Sequence, residues 1–348
     1  LVAADALLLA IRRLAAHESL DGPALTGAFD VIMRGEGTPA QVAALLMALR
    51  VKGETSAEVA GVVEALRRAM VVLPAANPDE LVDTCGTGGG ALTTFNISTA
   101  AALLASGLGV RIAKHGNRSF TSRSGSADVL EALGVVIDMP PDAMARTLDA
   151  AGIVFMFAPL MHPALRHVGP VRRELAVPTV MNIVGPLANP ARAGRQVIGV
   201  AEPARVLLLA EAMAALGTRH ALIVHGAPGM DEVSPLGATD VVEVVDGSLS
   251  RWRIDPAICG IDGISEADLA GGSPTDNAAL IELVLDGQGP PGARAAVVLN
   301  AAAALFVSGR ALSYETAVQQ AREGLAAGVG RAALTRLQRA SHAAVSAA

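Results

Sequence analysis

The chain has 348 residues, a formal net charge of −6 and 52% hydrophobic residues. That length exceeds one minimal core and predicts one large or two unequal domains, and the hydrophobic fraction excludes a disordered chain. The acidic balance and the absence of a long Lys/Arg run argue against a nucleic-acid surface, which needs clustered cations to displace counterions.

The first residues, "LVAADALLLAIRRLAAHES", are a brief apolar run broken by Arg12 and Arg13 and predict an amphipathic helix, not a signal peptide. Residues 1–75 then read as helices joined by short turns. "TPAQVAALLMALRVKG" places Thr38 at an N-cap, Pro39 at the first helical position, Gln41 in a capping box and Gly53 at the stop. Thr55 and Glu58 repeat the device. Apolar residues return at steps of three and four, which gives each helix one buried face. "VLPAANPDE", residues 72–80, predicts a linker from its prolines and Asn77.

Beyond the linker, strand and helix alternate. "LVDTC", "VRIAKHG", "GIVFMFAP", "RQVIGV" and "HALIVHG" predict strands. "FNISTAAALLASG", "SADVLEALG", "HPALRHVGPVRRELA" and "PARVLLLAEAMAALG" predict the helices between them. The pattern implies a mostly parallel sheet covered by helices. "TDVVEVVDGSLSRWRI" alternates around Asp246-Gly247 and predicts a hairpin. The tail from Asp276 is mainly helical. The uncharged run at 295–309 is too short for a comfortable membrane span and holds Asn300 and Ser308. Cys85 and Cys259 show no CxxC or zinc spacing and read as free thiols of a reducing cytoplasm. Only Lys52 and Lys114 are lysines. In a chain that otherwise uses arginine, a lysine marks either a need for a compact point charge or an ordinary surface position.

In parallel α/β sheets, ligands bind beyond the C-terminal strand ends, where four polar segments fall. In "DTCGTGGGALTTFNIST", Gly86, Gly88, Gly89 and Gly90 let backbone N–H groups approach an anion. The following helix points its free N–H groups back at it, and Asn96, Ser98 and Thr99 add side-chain donors. A flexible loop with a capped helix is the plainer alternative. "GTGGGA" also matches the loose dinucleotide fingerprint. That fold wants an acid roughly 20 positions on, at the next strand end. None lies between Asp83 and Asp128, and the next strand holds Lys114. In "AKHGNRSFTSRSGSAD", Lys114, Asn117, Arg118, Ser119, Thr121, Ser122 and Ser126 form a donor array suited to a second phosphate or a sugar phosphate. Asp231 and Glu232 in "HGAPGMDEVS" are either a solvated turn or, among phosphates, ligands that need Mg2+ between them. They could take different faces of one ion or different ions. On "PVRREL", Arg172 and Arg173 are surface or interdomain residues, or a clamp for a carboxylate. His115, His162, His167 and His225 show no metal spacing.

Taken together, "GTGG..LTTFNISTAAALLASGLGVRIAKHGNRSFTSRSGSADVLEALG", "FAPLMHPALRHVGPVRREL", "NIVGPLANP" and "VHGAPGMDEVS" resemble the anthranilate phosphoribosyltransferase family, from the N-terminal helices to "VVLNAAAALFVSG". The resemblance implies a helical domain (1–75, joined by part of 163–185) and an α/β phosphoribosyl-binding domain (76–348). The fold class is then nucleoside phosphorylase/phosphoribosyltransferase-like. It implies transfer of the 5-phosphoribosyl group from phosphoribosyl pyrophosphate (PRPP) to the amine of anthranilate, the second step of tryptophan synthesis from chorismate. It also implies Mg2+ as cofactor, a homodimer joined through the helical domain and a cytoplasmic location. By position, Gly86, Gly89, Gly90, Thr94, Asn96, Ile97, Ser98, Thr99, Lys114, His115, Gly116, Asn117, Arg118, Ser119, Phe120, Thr121, Ser122 and Ser126 match PRPP contacts. Gly86, Asn117 and Arg172 match anthranilate contacts, and Ser98, Asp231 and Glu232 match magnesium ligands. No acid or base is assigned, and His115 is the candidate to test. The family motif is usually G-T-G-G-D-G, so Gly90 and Ala91 remove a carboxylate and leave the metal arrangement open. A nucleoside phosphorylase-like enzyme and a nucleic-acid-binding, non-catalytic relative are the alternative readings.

Overall fold

The computed structural model describes residues 2–119 and 123–346. It opens with four helices, α1 (Val2–Ala15), α2 (Gly22–Met33), α3 (Pro39–Lys52) and α4 (Ser56–Ala69). Both expected capping boxes form. The Thr38 hydroxyl accepts from Gln41 N–H at 3.3 Å, and the Gln41 side chain accepts from Thr38 N–H at 2.9 Å. Thr55 and Glu58 do the same at 3.2 and 2.8 Å. Glu58 carries more than a cap. Fully buried, it also accepts from Leu20 N–H and from Lys52 Nζ, each at 2.9 Å. Lys52 is thus an internal counterion, not a surface residue. Leu7, Leu14, Phe29, Leu45, Leu49, Val62 and Leu66 close the core between these helices.

The second part of the chain runs β1 (Val82–Gly86), α5 (Ile97–Gly107), β2 (Ile112–Gly116), α6 (Ser126–Ala132), α7 (Pro141–Ala151), β3 (Ile153–Phe157), α8 (Ala158–Met161), α9 (Gly169–Leu175), β4 (Arg195–Gly199), α10 (Val206–Ala215) and β5 (His220–Gly226). Then follow β6 (Thr239–Val245), β7 (Ser248–Ile254), α11 (Pro274–Leu285), α12 (Pro291–Ser308), α13 (Tyr314–Ala326) and α14 (Val329–Ser346). The strands form one sheet in the order β3-β2-β1-β4-β5-β6-β7. The first five are parallel, and β6 and β7 add an antiparallel edge. Asp246 and Gly247 have φ of 46° and 84°, the left-handed pair that a tight hairpin needs. The segment read as one helix at 162–176 is a 3-10 turn, Pro163–His167, followed by α9, because Pro170 suits only a first turn.

The sheet is buried on both faces, as its apolar strands require. Leu222 and Val224 pack with α5 and α12 on one side. Ala221 and Ile223 pack with α10 and the N-terminal helices on the other. That second core also takes in Val168, Val171, Val180 and Ile183, so the 163–185 segment packs with α1–α4. Among the described residues one helix, α12, is long and apolar enough to cross a membrane, and 78% of it is buried inside the fold.

Candidate active site

The sheet changes direction of winding between β1 and β4, whose C-terminal residues Gly86 and Gly199 are register partners. Ligand crevices of open α/β sheets form at such points. The segment after β5 folds back over this one. A Cβ on Gly199 would lie 1.7 Å from the Asp231 carbonyl oxygen, and one on Gly86 would lie 2.5 Å from Asp231 Oδ2. A Cβ on Gly226 would meet the Glu232 carbonyl at 2.4 Å. Three strands therefore end in glycine because the acidic loop lies directly on them.

The loop after β1 faces that pair. Thr87 N–H donates to the Gly199 carbonyl at 2.9 Å, and Ala91 N–H donates to that of Gly229 at 2.8 Å. Between these anchors, Gly88 and Gly89 have φ of 72° and 79°, while Gly90 does not need a positive φ. Gly88 N–H donates to Asp231 Oδ2 at 2.8 Å. The N–H groups of Gly89 and Gly90 donate to nothing else among the described residues. This is an anion cradle with two donors in hand.

Below the cradle lie Ser98, at the start of α5, and Lys114, on β2. Lys114 is 3% exposed and donates to the Thr84 carbonyl and to Ser98 Oγ, the latter at 3.3 Å. Ser98 N–H donates to Glu232, whose carboxyl is pushed up to about 8 by burial and by Asp231, with Lys114 opposing. Burial also raises Asp231. Two acids destabilised as anions, with one buried ammonium nearby, make a seat that gains from a further positive charge.

Strand alternation sends His115 to the other face of β2. His115 and His162 lie with ring centroids 4.9 Å apart, both nearly buried and both with Nε2 unpartnered. Burial lowers His115 to about 3 and His162 to about 4. Each ring is otherwise held by a backbone hydrogen bond, with Gly185 and Ala188 respectively. Burial thus favours the neutral form of both imidazoles, and neither Nε2 has a partner among the described residues. Arg172, on α9, is half-buried, makes no side-chain hydrogen bond among the described residues, and is lowered by burial.

Other expected positions serve the frame. Asn96 donates to the Ser124 carbonyl at 3.1 Å and accepts from Asn277 at 3.0 Å, so its side chain ties the 123–125 turn to α11. Thr94 pairs with Ala270 in an isolated bridge. Ile97 is buried in the core. A Cβ on Gly116 would lie 2.2 Å from Ser126 Oγ, which itself reaches the Asn117 carbonyl at 3.4 Å. Asn117 Oδ1 accepts from Arg118 N–H at 2.8 Å, and Ser119 N–H donates to Asp128 at 3.1 Å. The Thr99 hydroxyl is buried without a partner among the described residues, and Thr99 lines a small interior space with Leu103, Lys114 and Phe155. The Arg118 guanidinium holds Asp128 and Glu131, each at 2.9 Å. Phe120, Thr121 and Ser122 lie outside the described residues.

The sequence reading passed over Asp83 and Asn189. Asp83 is fully buried and accepts from His115 N–H at 3.1 Å and from Asn189 Nδ2 at 2.7 Å. Asn189 also donates to the Ala113 carbonyl and accepts from Ala191 N–H. Burial raises Asp83 to about 6, against the pull of Lys114. The signal that could have found it was an acid inside an otherwise apolar strand. Two clefts of about 480 and 280 Å³ elsewhere on the fold are lined by none of the residues of this site.

A helical bundle packed on a sheet whose switch point carries an anion cradle and an acid pair defines a transferase of a two-part class. The glycosyl transferase family's a/b domain matches residues 78–331, and its helical bundle domain matches residues 9–70. An anthranilate phosphoribosyltransferase of Rubrobacter xylanophilus is 47% identical over 95% of this chain and 96% of its own length. The crystal structure of the Thermus thermophilus anthranilate phosphoribosyltransferase superposes with a TM-score of 0.90 at 39% identity, covering 96% of this chain and 99% of that one. The Saccharomyces cerevisiae enzyme, solved in complex with PRPP and Mg, superposes with a TM-score of 0.86 at 27% identity, covering 97% and 98%. The chain belongs to the anthranilate phosphoribosyltransferase family.

Proposed function

We propose that the chain transfers the 5-phosphoribosyl group of PRPP to the amine of anthranilate, giving N-(5-phosphoribosyl)anthranilate and pyrophosphate, with the following division of labour. The observation that carries this is the glycine cradle facing the Asp231–Glu232 pair across the β1–β4 crevice. In this reading Gly89 and Gly90 donate to the leaving pyrophosphate. Gly86, Thr94, Asn96, Ile97 and the segment from Lys114 to Ser119, with Ser126, shape the phosphoribosyl site. Phe120–Ser122 complete it by resemblance. Lys114 acts from beneath, by fixing Thr84 and Ser98 and offsetting the acids.

The donor set fits Mg2+. Asp231, Glu232 and Ser98 offer hard oxygens, and burial makes both carboxylates costly without a cation. Among the described residues no cluster of three acidic, His or Cys groups forms a complete site. That suits an ion whose remaining ligands are phosphate oxygens and water. When bound, Mg2+ neutralises charge on the departing pyrophosphate.

The anthranilate side is the His115–His162 face, with Gly86 and Asn117 at its edge and Arg172 as carboxylate clamp. A neutral aromatic amine needs no prior deprotonation, so a strong base is unnecessary, and histidines lowered to about 3 and 4 would be poor ones. Their Nε2 atoms instead accept from the amine and hold its lone pair toward the ribose. Loss of pyrophosphate builds positive charge on the sugar ring, as in glycosyl transfer. Much of the rate then comes from positioning. The division of labour is residues 1–75 with part of 163–185 against 76–348, in a cytoplasmic homodimer joined through the helical part.

The test is fluorescence-monitored turnover with anthranilate, PRPP and Mg2+. Asp231→Asn with Glu232→Gln abolishes turnover in a folded protein and removes magnesium-dependent PRPP binding. Unchanged magnesium titrations in the double variant would refute the metal assignment, and cleavage of a nucleoside by free phosphate, with no turnover of PRPP, would point to a phosphorylase.

A further inference from the structure

The cradle is not empty of charge. Asp231 Oδ2 already takes the Gly88 N–H at 2.8 Å. The carboxylate fills the space that side chains on Gly86 and Gly90 would claim, at 2.5 and 3.0 Å from their ideal Cβ positions. The contact is sterically arranged. Gly199 lets the Asp231 backbone lie on β4, and the bond from Ala91 N–H to the Gly229 carbonyl holds the loop against the same turn. Gly90 is part of the fit, because a carboxylate there would face Asp231 at contact distance. Among the described residues nothing lies within 4 Å of a Cβ added to Gly88 or Gly89.

We propose that Asp231 is a specificity-determining residue that occupies the glycine cradle as an internal anion, so that the loop accepts pyrophosphate carrying a divalent cation and rejects the bare anion. This inference rests on the proposed PRPP site. A bare pyrophosphate group entering here meets Asp231 as a like charge and competes with it for Gly88 N–H. A pyrophosphate that brings a cation is bridged to Asp231 instead, and the repulsion becomes attraction. Chelation draws the carboxylate off Gly88 and leaves its N–H beside those of Gly89 and Gly90. Asp231 thereby links metal capture to completion of the cradle, a task that Glu232, held by Ser98 N–H, does not share.

The test uses inorganic pyrophosphate and isothermal titration calorimetry on the full chain, without turnover. In EDTA, wild type binds pyrophosphate weakly, and Asp231→Ala binds it at least about tenfold more tightly, the effect of exposing one charge-assisted donor and removing a like charge. Asp231→Asn, which can still accept from Gly88 but carries no charge, falls between them. With Mg2+ the order reverses and wild type is tightest. Amide exchange at Gly88 separates the account from a general loosening, because Asp231→Ala speeds it while leaving Thr87 and Ala91 protected. Equal metal-free affinity in wild type and Asp231→Ala overturns the inference, and so does faster exchange throughout the loop. If wild type binds no pyrophosphate even with Mg2+, the proposed PRPP site falls as well. Binding with Mg2+ but no metal-free gain in Asp231→Ala overturns the inference alone.

Discussion

Single side chains here are tuned mainly by burial. Arg172 is half-buried, and among the described residues no carboxylate pairs with it. Arg172→Ala is expected to raise the anthranilate KM by the worth of a charge-assisted hydrogen bond, about 1.5–3 kcal/mol, with PRPP affinity nearly unchanged. Steady-state kinetics against each substrate check this, and a collapse of PRPP affinity with anthranilate KM intact would sink it. The histidine pair gives a pH signature. Their folded pKa values, about 3 and 4, lie below the ordinary 6.5. The unfolded chain therefore binds more protons between about 4 and 6.5, and stability falls as pH drops through that window, by at most about 1.4 kcal/mol per unit for each histidine. Asp83, raised to about 6, works in the opposite sense over part of the same range. His162→Gln should flatten the fall in urea midpoint between pH 6 and 4.5 relative to wild type. Parallel curves would show that the pair is not what titrates.

Elements are set by caps and by what the caps carry. Thr55→Ala removes one cap bond and should cost about 1 kcal/mol. Glu58→Ala strands the 7% exposed Lys52 ammonium and should cost about 3–5 kcal/mol. Urea melts of the two variants decide it, and near-equal losses would mean that the ion pair contributes nothing beyond the cap. The glycine loop supports a second comparison. Gly90 lacks a positive φ, so a side chain there meets the Asp231 carboxylate and the Gly229 carbonyl, at 3.0 and 3.3 Å from its Cβ, without a backbone penalty as well. Gly90→Asp is expected to shift the magnesium optimum and leave anthranilate KM nearly unchanged, while Gly90→Asn leaves the optimum in place. The same magnesium profile for both would make the effect steric.

For the whole molecule, the proposed dimer predicts where an apolar face is spent. Leu8 and Leu9 on α1 and Val51 at the end of α3 are 36%, 57% and 70% exposed. Exposed large apolar side chains on the helical part are the candidates for that contact. Leu9→Glu should convert the dimer to monomer at micromolar concentration in light scattering, with the fold retained by circular dichroism. A dimer that survives Leu9→Glu together with Val51→Glu would place the contact elsewhere.

What the sequence determined by itself was local in its physics. Caps at Thr38 and Thr55, the Asp246-Gly247 turn, the strand–helix alternation and the loop glycines all rest on neighbours within a few residues, so they were legible before any folding. So was the grouping of phosphate-, metal- and carboxylate-type residues at strand ends, since a parallel sheet sends those ends to one edge. Tertiary structure decided which group each polar residue serves. Thr99 and Arg118 have the right chemistry for a phosphate; the structure buries the Thr99 hydroxyl and pairs Arg118 with Asp128 and Glu131. Both lysines proved internal, because Glu58 lies six residues from Lys52 and Thr84 lies 30 from Lys114. Asp83 and Asn189, 106 positions apart, meet only because β1 and the segment before β4 are brought side by side. The carboxylate in the glycine cradle spans 143 positions. Contacts at such separations depend on strand order and on which face of a strand a residue occupies, and neither is written in the residues near it.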